Sequence, residues 1–76
     1  MQIFVKRLTG ETFVVDINSY DLIDDIKQKI SEQIDVPAPR LALICLGRGL
    51  EGDRTAEYYN ITDDSTLYLV MRLPSG

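Results

Sequence analysis

The sequence predicts a two-layer α+β domain in which one sheet carries a single helix across one face. Three observations predict it. Alternating apolar and polar residues fill QIFVKRL and TFVVDI on either side of Thr9-Gly10, isoleucines recur at positions 23, 26, 30 and 34, and two further alternating runs, RLALICL and TLYLVMR, follow. Alternation has the period of a half-buried strand, and the three-four-four spacing has the period of a helix with one apolar stripe. At 76 residues the chain is a single domain of a size that buries only about 60% of its unfolded surface. Hydrophobic residues make up 45% and charged residues 26%, enough apolar material for one core and too much for a disordered chain.

The first run places Ile3 and Val5 on one face and Phe4 and Lys6 on the other. The second places Phe13, Val15 and Ile17 together, so the two runs form an antiparallel hairpin around Gly10. In the helical segment Ile23, Ile26, Ile30 and Ile34 form the core stripe, with Asp24, Asp25, Lys27 and Lys29 between them. Asp21 is the expected N-cap, and Asp24 and Asp25 suit the positive end of the helix dipole. Pro37 and Pro39 in DVPAPR end the helix, since neither can donate an amide hydrogen and both disfavour helical geometry before them. The Pro-x-Pro pair is read as a loop and not as a ligand motif.

RLALICL resumes alternation, with Leu41, Leu43 and Cys45 on one face and Ala42 and Ile44 on the other. Gly47, Arg48 and Gly49 turn the chain; no helix follows to present amides to a phosphate, so this Gly-x-Gly is a turn. EGDRTAEYYNITDDS is polar and irregular, with a helical turn expected near Ala56 to Tyr59. Asp63 and Asp64 are solvated turn residues without a catalytic role. The last strand sets Leu67, Leu69 and Met71 on one face and Thr66, Tyr68, Val70 and Arg72 on the other.

Composition excludes several functions. Twelve acidic against eight basic residues give a net charge of -4, the wrong sign for a sequence-independent nucleic-acid binder. No apolar run reaches the roughly 18 residues that span a bilayer, and MQIFVKRLTG lacks the order of a signal peptide. A soluble, monomeric protein of the cytoplasm or nucleus is expected, without membrane or nucleic-acid partners. The chain has one cysteine, Cys45, and no histidine. An internal disulfide, a zinc site and a Cys-His or Ser-His nucleophile pair are therefore out of reach. No catalytic residue, metal or cofactor is assigned, and Cys45 is read as a small buried hydrophobe.

A single helix covers one side of the sheet only. Ile44, Tyr68 and Val70 then face water on the other, with Leu8 at the end of the hairpin near them. Lys6, Gly47, Arg48 and Arg72 rim the cluster. An exposed apolar cluster with a polar rim marks a protein-binding site.

The same residues carry a resemblance. MQIFVK with LTG, then Ile23, Lys27, Lys29 and Ile30, Leu43-Ile44, Gly47, Leu50-Glu51, Arg54-Thr55, YNI at 59–61, STL at 65–67, Leu69-Val70 and Arg72-Leu73 are similar to the ubiquitin family along the whole chain. The resemblance implies a β-grasp (ubiquitin-like) fold for residues 1–72, a mixed sheet with one helix across one face, followed by a flexible C-terminal tail at 73–76. It also implies that the Leu8, Ile44 and Val70 face binds ubiquitin-receptor domains, small helical and zinc-finger modules, or ubiquitin-pathway enzymes. Tyr68 replaces a family histidine. Of the family's chain-building acceptors, Met1, Lys6, Lys27 and Lys29 remain, while Glu11, Gln33, Arg48 and Asp63 stand where lysines were. Asp35 and Leu46 occupy positions suited in the family to positive φ or a small side chain; Asp tolerates that geometry and Leu does so poorly, which predicts either strain at Leu46 or a rearranged loop near Leu46 to Gly49.

The conjugation tail departs furthest. The family ends in Arg-Leu-Arg-Gly-Gly, and this chain ends in Arg72-Leu73-Pro74-Ser75-Gly76. Pro74 fixes φ, and Ser75 puts a side chain where activating enzymes and proteases admit none, so activation is expected to be impaired or lost. The leading reading is a ubiquitin-like interaction module that is not conjugated. One alternative is a covalent modifier attached to lysines through Gly76. Another is an engineered or redesigned chain for folding studies or enzyme inhibition, because the departures fall on core, helix and tail together.

Overall fold

A computed structural model describes residues 1–72. The opening hairpin consists of β1 (Gln2–Arg7) and β2 (Thr12–Asp16), paired antiparallel in the register Ile3–Val15 and Val5–Phe13. Gly10, at φ 95°, supplies the left-handed conformation in the connecting turn, which a residue without Cβ adopts freely. The helix α1 spans Ile23–Ile34, a short 3₁₀ turn Ala38–Arg40 leads into β3 (Leu41–Cys45), and β4 is the two-residue strand Arg48–Gly49. A second 3₁₀ turn, Glu57–Tyr59, precedes β5 (Thr66–Met71). The sheet order is β2-β1-β5-β3-β4. The central pair β1–β5 is parallel and its neighbours are antiparallel, so the sheet is mixed, as the resemblance implies.

One side of each strand closes the core against α1. Ile3, Val5, Val15, Leu43 and Leu67 are essentially inaccessible, as are Ile23, Ile26 and Ile30 from the helix. Ile17, Leu50, Ala56 and Ile61 seal the ends of this layer. Each fully buried aliphatic side chain contributes about 1.5–3 kcal/mol relative to exposure. The stripe is therefore what holds the helix down, since twelve residues of isolated helix are marginal in water.

Several expectations are corrected in detail. The N-cap is Leu22, whose amide donates to the Asp25 carboxylate at 3.2 Å. Asp21 instead accepts the Asn18 amide at 2.9 Å and Lys29 Nζ at 3.2 Å. Ile34 is only partly buried at the rim of the core, because the helix ends there. The chain leaves it through Asp35 in the left-handed conformation, whose amide returns to the Ser31 carbonyl at 2.9 Å. Lys27 is buried, at 8% exposure; position 27 lies one turn beyond Ile23, and a lysine stem packs along apolar surface. Met71 shares the face of Leu67 and Leu69 by parity yet is exposed at the end of β5. Arg48 and Gly49 are not simply a turn but pair with Cys45 and Ile44. The helical turn expected near Ala56 to Tyr59 is present as the 3₁₀ segment. Among the described residues no helix is long and apolar enough to cross a membrane.

Candidate functional site

Strand register assembles the open face. Lys6 of β1 pairs with Tyr68 of β5, Tyr68 pairs with Ile44 of β3, and Ile44 pairs with Gly49 of β4. Those four residues form one row across four strands, and in its antiparallel Tyr68–Ile44 pair directly opposite Cβ atoms stand about 4.5–5.5 Å apart. Val70, paired with Ala42, forms the next row. Tyr68 is 45% exposed and Leu8, just past β1, is 83% exposed; Ile44 and Val70 are half-buried. The alternating parity that buries Leu43, Leu67 and Leu69 against the helix is what turns Ile44, Tyr68 and Val70 outward.

A two-residue hairpin fixes one edge. Cys45 opposes Arg48 across Leu46 and Gly47, whose φ values are 53° and 76°. Positive φ at both central positions is the type I′ turn, whose twist matches that of the strands it joins. Gly47 meets this at no steric cost, whereas a leucine costs about 1–2 kcal/mol; the predicted strain at Leu46 is present. Leu46 is 95% exposed, so no packing offsets it. The turn carries Arg48 to within 5.0 Å of the Tyr59 ring centre, and Tyr59 meets Tyr58 edge-on with centroids 5.0 Å apart. The Tyr59 hydroxyl accepts the Glu51 amide at 2.8 Å, which locks the ring that supports Arg48. Between these residues and Tyr68 lies an open hollow of about 580 Å³, floored in part by Cys45. Burial pushes the Cys45 thiol above its ordinary pKa, and Sγ points to the Thr66 carbonyl at 3.8 Å. The thiol is protonated and poorly nucleophilic at neutral pH.

Electrostatics divide the eight lysines and arginines into two groups. Arg7, Lys27, Lys29 and Arg54 pair with Glu11, Asp24, Asp21 and Glu51 at 3.8, 3.9, 3.2 and 3.5 Å. Among the described residues Lys6, Arg40, Arg48 and Arg72 pair with no carboxylate. Lys6 stands in the Tyr68–Ile44 row and Arg48 at its far edge. Arg40 and Arg72 meet where β3 begins and β5 ends, with the Arg72 amide donating to the Arg40 carbonyl at 2.6 Å. Arg72 also lines a hollow beside α1, so its position is at the edge of the sheet. Tyr59 and Arg40 were not assigned to the site from sequence. Arg40 precedes an alternating run, but no local signal identifies its neighbour across the sheet.

The acceptor amines are held differently. The Met1 ammonium donates to the Ile17 carbonyl at 2.7 Å and lies 3.4 Å from Asp16. Lys29 Nζ donates to the Asp16 carbonyl at 2.9 Å and to Asp21, Lys27 is buried, and Lys6 is exposed. The hydrogen bond from the Asn18 amide, reinforced by Lys29, holds the Asp21 carboxyl below its ordinary pKa against a smaller opposing effect of burial. No group of three His, Cys, Asp or Glu among the described residues is placed to hold a metal ion. Leu73, Pro74, Ser75 and Gly76 of the expected conjugation tail lie outside the described residues.

Residues 3–74 match the model of the Ubiquitin family. Ubiquitin-like protein 1 of Schizosaccharomyces pombe is 36% identical over 76 residues, a match that covers all of this chain and 97% of that protein. Ubiquitin-like protein NEDD8 of Dictyostelium discoideum is 37% identical over 76 residues, all of this chain and 99% of that protein. The UV excision repair protein RAD23 homolog of the same organism is 31% identical over 74 residues, which are 97% of this chain and 22% of that protein.

Proposed function

The chain belongs to the ubiquitin family, and on that premise we propose that it is an interaction module that offers its open sheet face to ubiquitin-receptor domains or ubiquitin-pathway enzymes. Conjugation through its tail is, on this reading, impaired or absent. One observation carries the proposal: two of the cations without a carboxylate partner among the described residues stand at the exposed row of Tyr68 and Ile44, Lys6 within it and Arg48 beside its Gly49 end, while Arg7, Lys27, Lys29 and Arg54 each have a carboxylate within 4.0 Å elsewhere. A chain of net charge -4 thus keeps a locally positive, apolar-centred surface. Such a surface suits a small partner that brings an apolar ridge flanked by acids, because apolar contact supplies affinity and the charged rim supplies steering and register. Tyr68 adds aromatic area of the kind enriched at binding hot spots. The module acts through contact and not through catalysis.

The tail supports the second half of the proposal. Pro74 and Ser75 stand immediately before Gly76, where a narrow enzyme slot requires close backbone approach. A competing reading keeps Gly76 as an acyl donor to lysines, and the family membership of Ubiquitin-like protein 1 and NEDD8, both matched over nearly their whole length, favours it. Incubation with a ubiquitin-activating enzyme and ATP separates the two. The module reading expects no reducible thioester band beside a ubiquitin control that charges; a band of comparable intensity overturns it. For the face itself, a fluorescent ubiquitin-receptor helix should bind the wild-type chain and lose at least about tenfold in affinity to Ile44→Ala, a loss of about 1.4 kcal/mol. Equal binding by the two would remove the face from the function.

A further inference from the structure

A second hollow, of about 440 Å³, lies at the edge where α1 meets the 3₁₀ turn Ala38–Arg40. Its lining comprises Asp24, Lys27, Gln28, Ala38, Pro39 and Arg72. Lys27 is 8% exposed, yet its ammonium reaches its one carboxylate, Asp24 Oδ1, only at 3.9 Å. Lys29, two residues on and more exposed, makes hydrogen bonds of 2.9 and 3.2 Å; among the described residues Lys27 makes none. The stem of Lys27 is buried, but its ammonium is not a sealed, unpartnered group; at 3.9 Å from its one carboxylate it keeps donors open toward the hollow, where an anion can take charge-assisted bonds. Arg72 lines the same hollow with no carboxylate partner among the described residues, its backbone held by the hydrogen bond from its amide to the Arg40 carbonyl. Two cations against one carboxylate leave the hollow with a net charge of about +1.

We propose that this hollow binds a compact oxyanion, either a free phosphate or an acidic side chain delivered by a partner, between Lys27 Nζ and the Arg72 guanidinium. The Gln28 amide supplies a third donor. An ammonium and a guanidinium converging on one space are the donors that phosphate and carboxylate oxygens take in charge-assisted bonds, the guanidinium through its two-pronged fork. Asp24, the carboxylate that shares the lining, selects against large or highly charged anions and sets a moderate affinity. The site lies beside the helix, while the proposed receptor face is centred on Ile44 and Tyr68; it does not depend on that reading.

The test is a titration of the ¹⁵N-labelled full chain, at constant ionic strength in chloride, with inorganic phosphate in one arm and N-acetyl-aspartate methylamide in the other. Saturable shifts are expected at the amides of Lys27, Gln28 and Ala38 and at the Arg72 side chain, with Ile44 and Tyr68 unmoved. Arg72→Ala, an exposed position whose backbone bond survives the change, should weaken saturation at least fivefold, and Arg72→Lys should recover part of it. Saturation by phosphate alone identifies a free anion as the ligand, and saturation by the aspartate probe identifies a partner's side chain. Linear drift without saturation in both arms, or an unchanged curve in Arg72→Ala, overturns the proposal.

Discussion

Replacement of Leu46 by glycine should stabilise the protein. The residue sits at φ 53° in the hairpin joining β3 to β4 and is 95% exposed, so its side chain contributes almost no burial to be lost. Holding a leucine there costs about 1–2 kcal/mol. Glycine removes that cost but brings about 0.5–1 kcal/mol of added chain entropy in the unfolded state. The midpoints of these ranges leave a gain of about 0.75 kcal/mol, or a rise in Tm of about 3–6 °C for a domain of this size. Leu46→Asn, which tolerates the same conformation without glycine's entropy, should gain a similar amount. The reverse holds next door: Gly47, at φ 76° with open space where a Cβ would stand, has room for alanine but not the backbone conformation, so Gly47→Ala should lose about 1 kcal/mol. Urea unfolding followed by circular dichroism reads all three as shifts of the midpoint at constant slope. If Leu46→Gly and Leu46→Asn both leave the midpoint unchanged or lower it, the turn is not strained and the backbone argument fails.

Other outcomes follow from the same structure. Ile30→Ala removes a fully buried member of the helix stripe and should cost about 2–5 kcal/mol, which a urea melt would show as loss of much of the stability expected of 76 residues. Asp21, whose carboxyl is held below its ordinary pKa by the Asn18 amide and Lys29, stabilises the fold most when ionised. The stability difference between wild type and Asp21→Asn should therefore be full above the carboxylate's unfolded pKa of about 4 and fade as pH falls through the lower folded value. An advantage that grows on acidification would contradict this sign. Cys45, with its thiol pKa raised by burial, should react with iodoacetamide at pH 7.5 more slowly than a small-molecule thiol and accelerate in urea; equal rates would show that the groove leaves the thiol unprotected.

Much of this molecule can be read along the chain because its signals are local. Ile3 and Val5, then Val15 and Ile17, mark their strand faces by parity, and the isoleucines at 23, 26 and 30 mark the helix face by spacing. The outward set of Ile44, Tyr68 and Val70 follows from the same parity once one face is assigned to the helix. What escaped depends on contacts distant in sequence. Lys27 lies outside the isoleucine stripe by residue type, although it shares the turn-to-turn spacing of Ile23; the length of its stem decides its burial. Asp21 had the chemistry of an N-cap, but the Asn18 amide and Lys29, eight residues away, claim its carboxylate. The pairing of Arg48 and Gly49 with Cys45 and Ile44 rests on a two-residue turn with a leucine in it, which turn propensities disfavour. Which cations stay without a carboxylate partner is a property of the whole: Arg7 and Arg54 are paired only because of where Glu11 and Glu51 lie.

On the proposed reading the function resides on the sheet face opposite the helix. That placement is tested most directly by titrating the ¹⁵N-labelled chain with an unlabelled ubiquitin-receptor helix and mapping which amides move. Saturable shifts are expected at Lys6, Leu8, Ile44, Gly47, Arg48, Tyr68 and Val70 alone, with the helix residues Ile26 to Ile30 unmoved. Binding that shifts α1 and leaves Ile44 and Val70 in place, or no binding at millimolar concentrations, would contradict it.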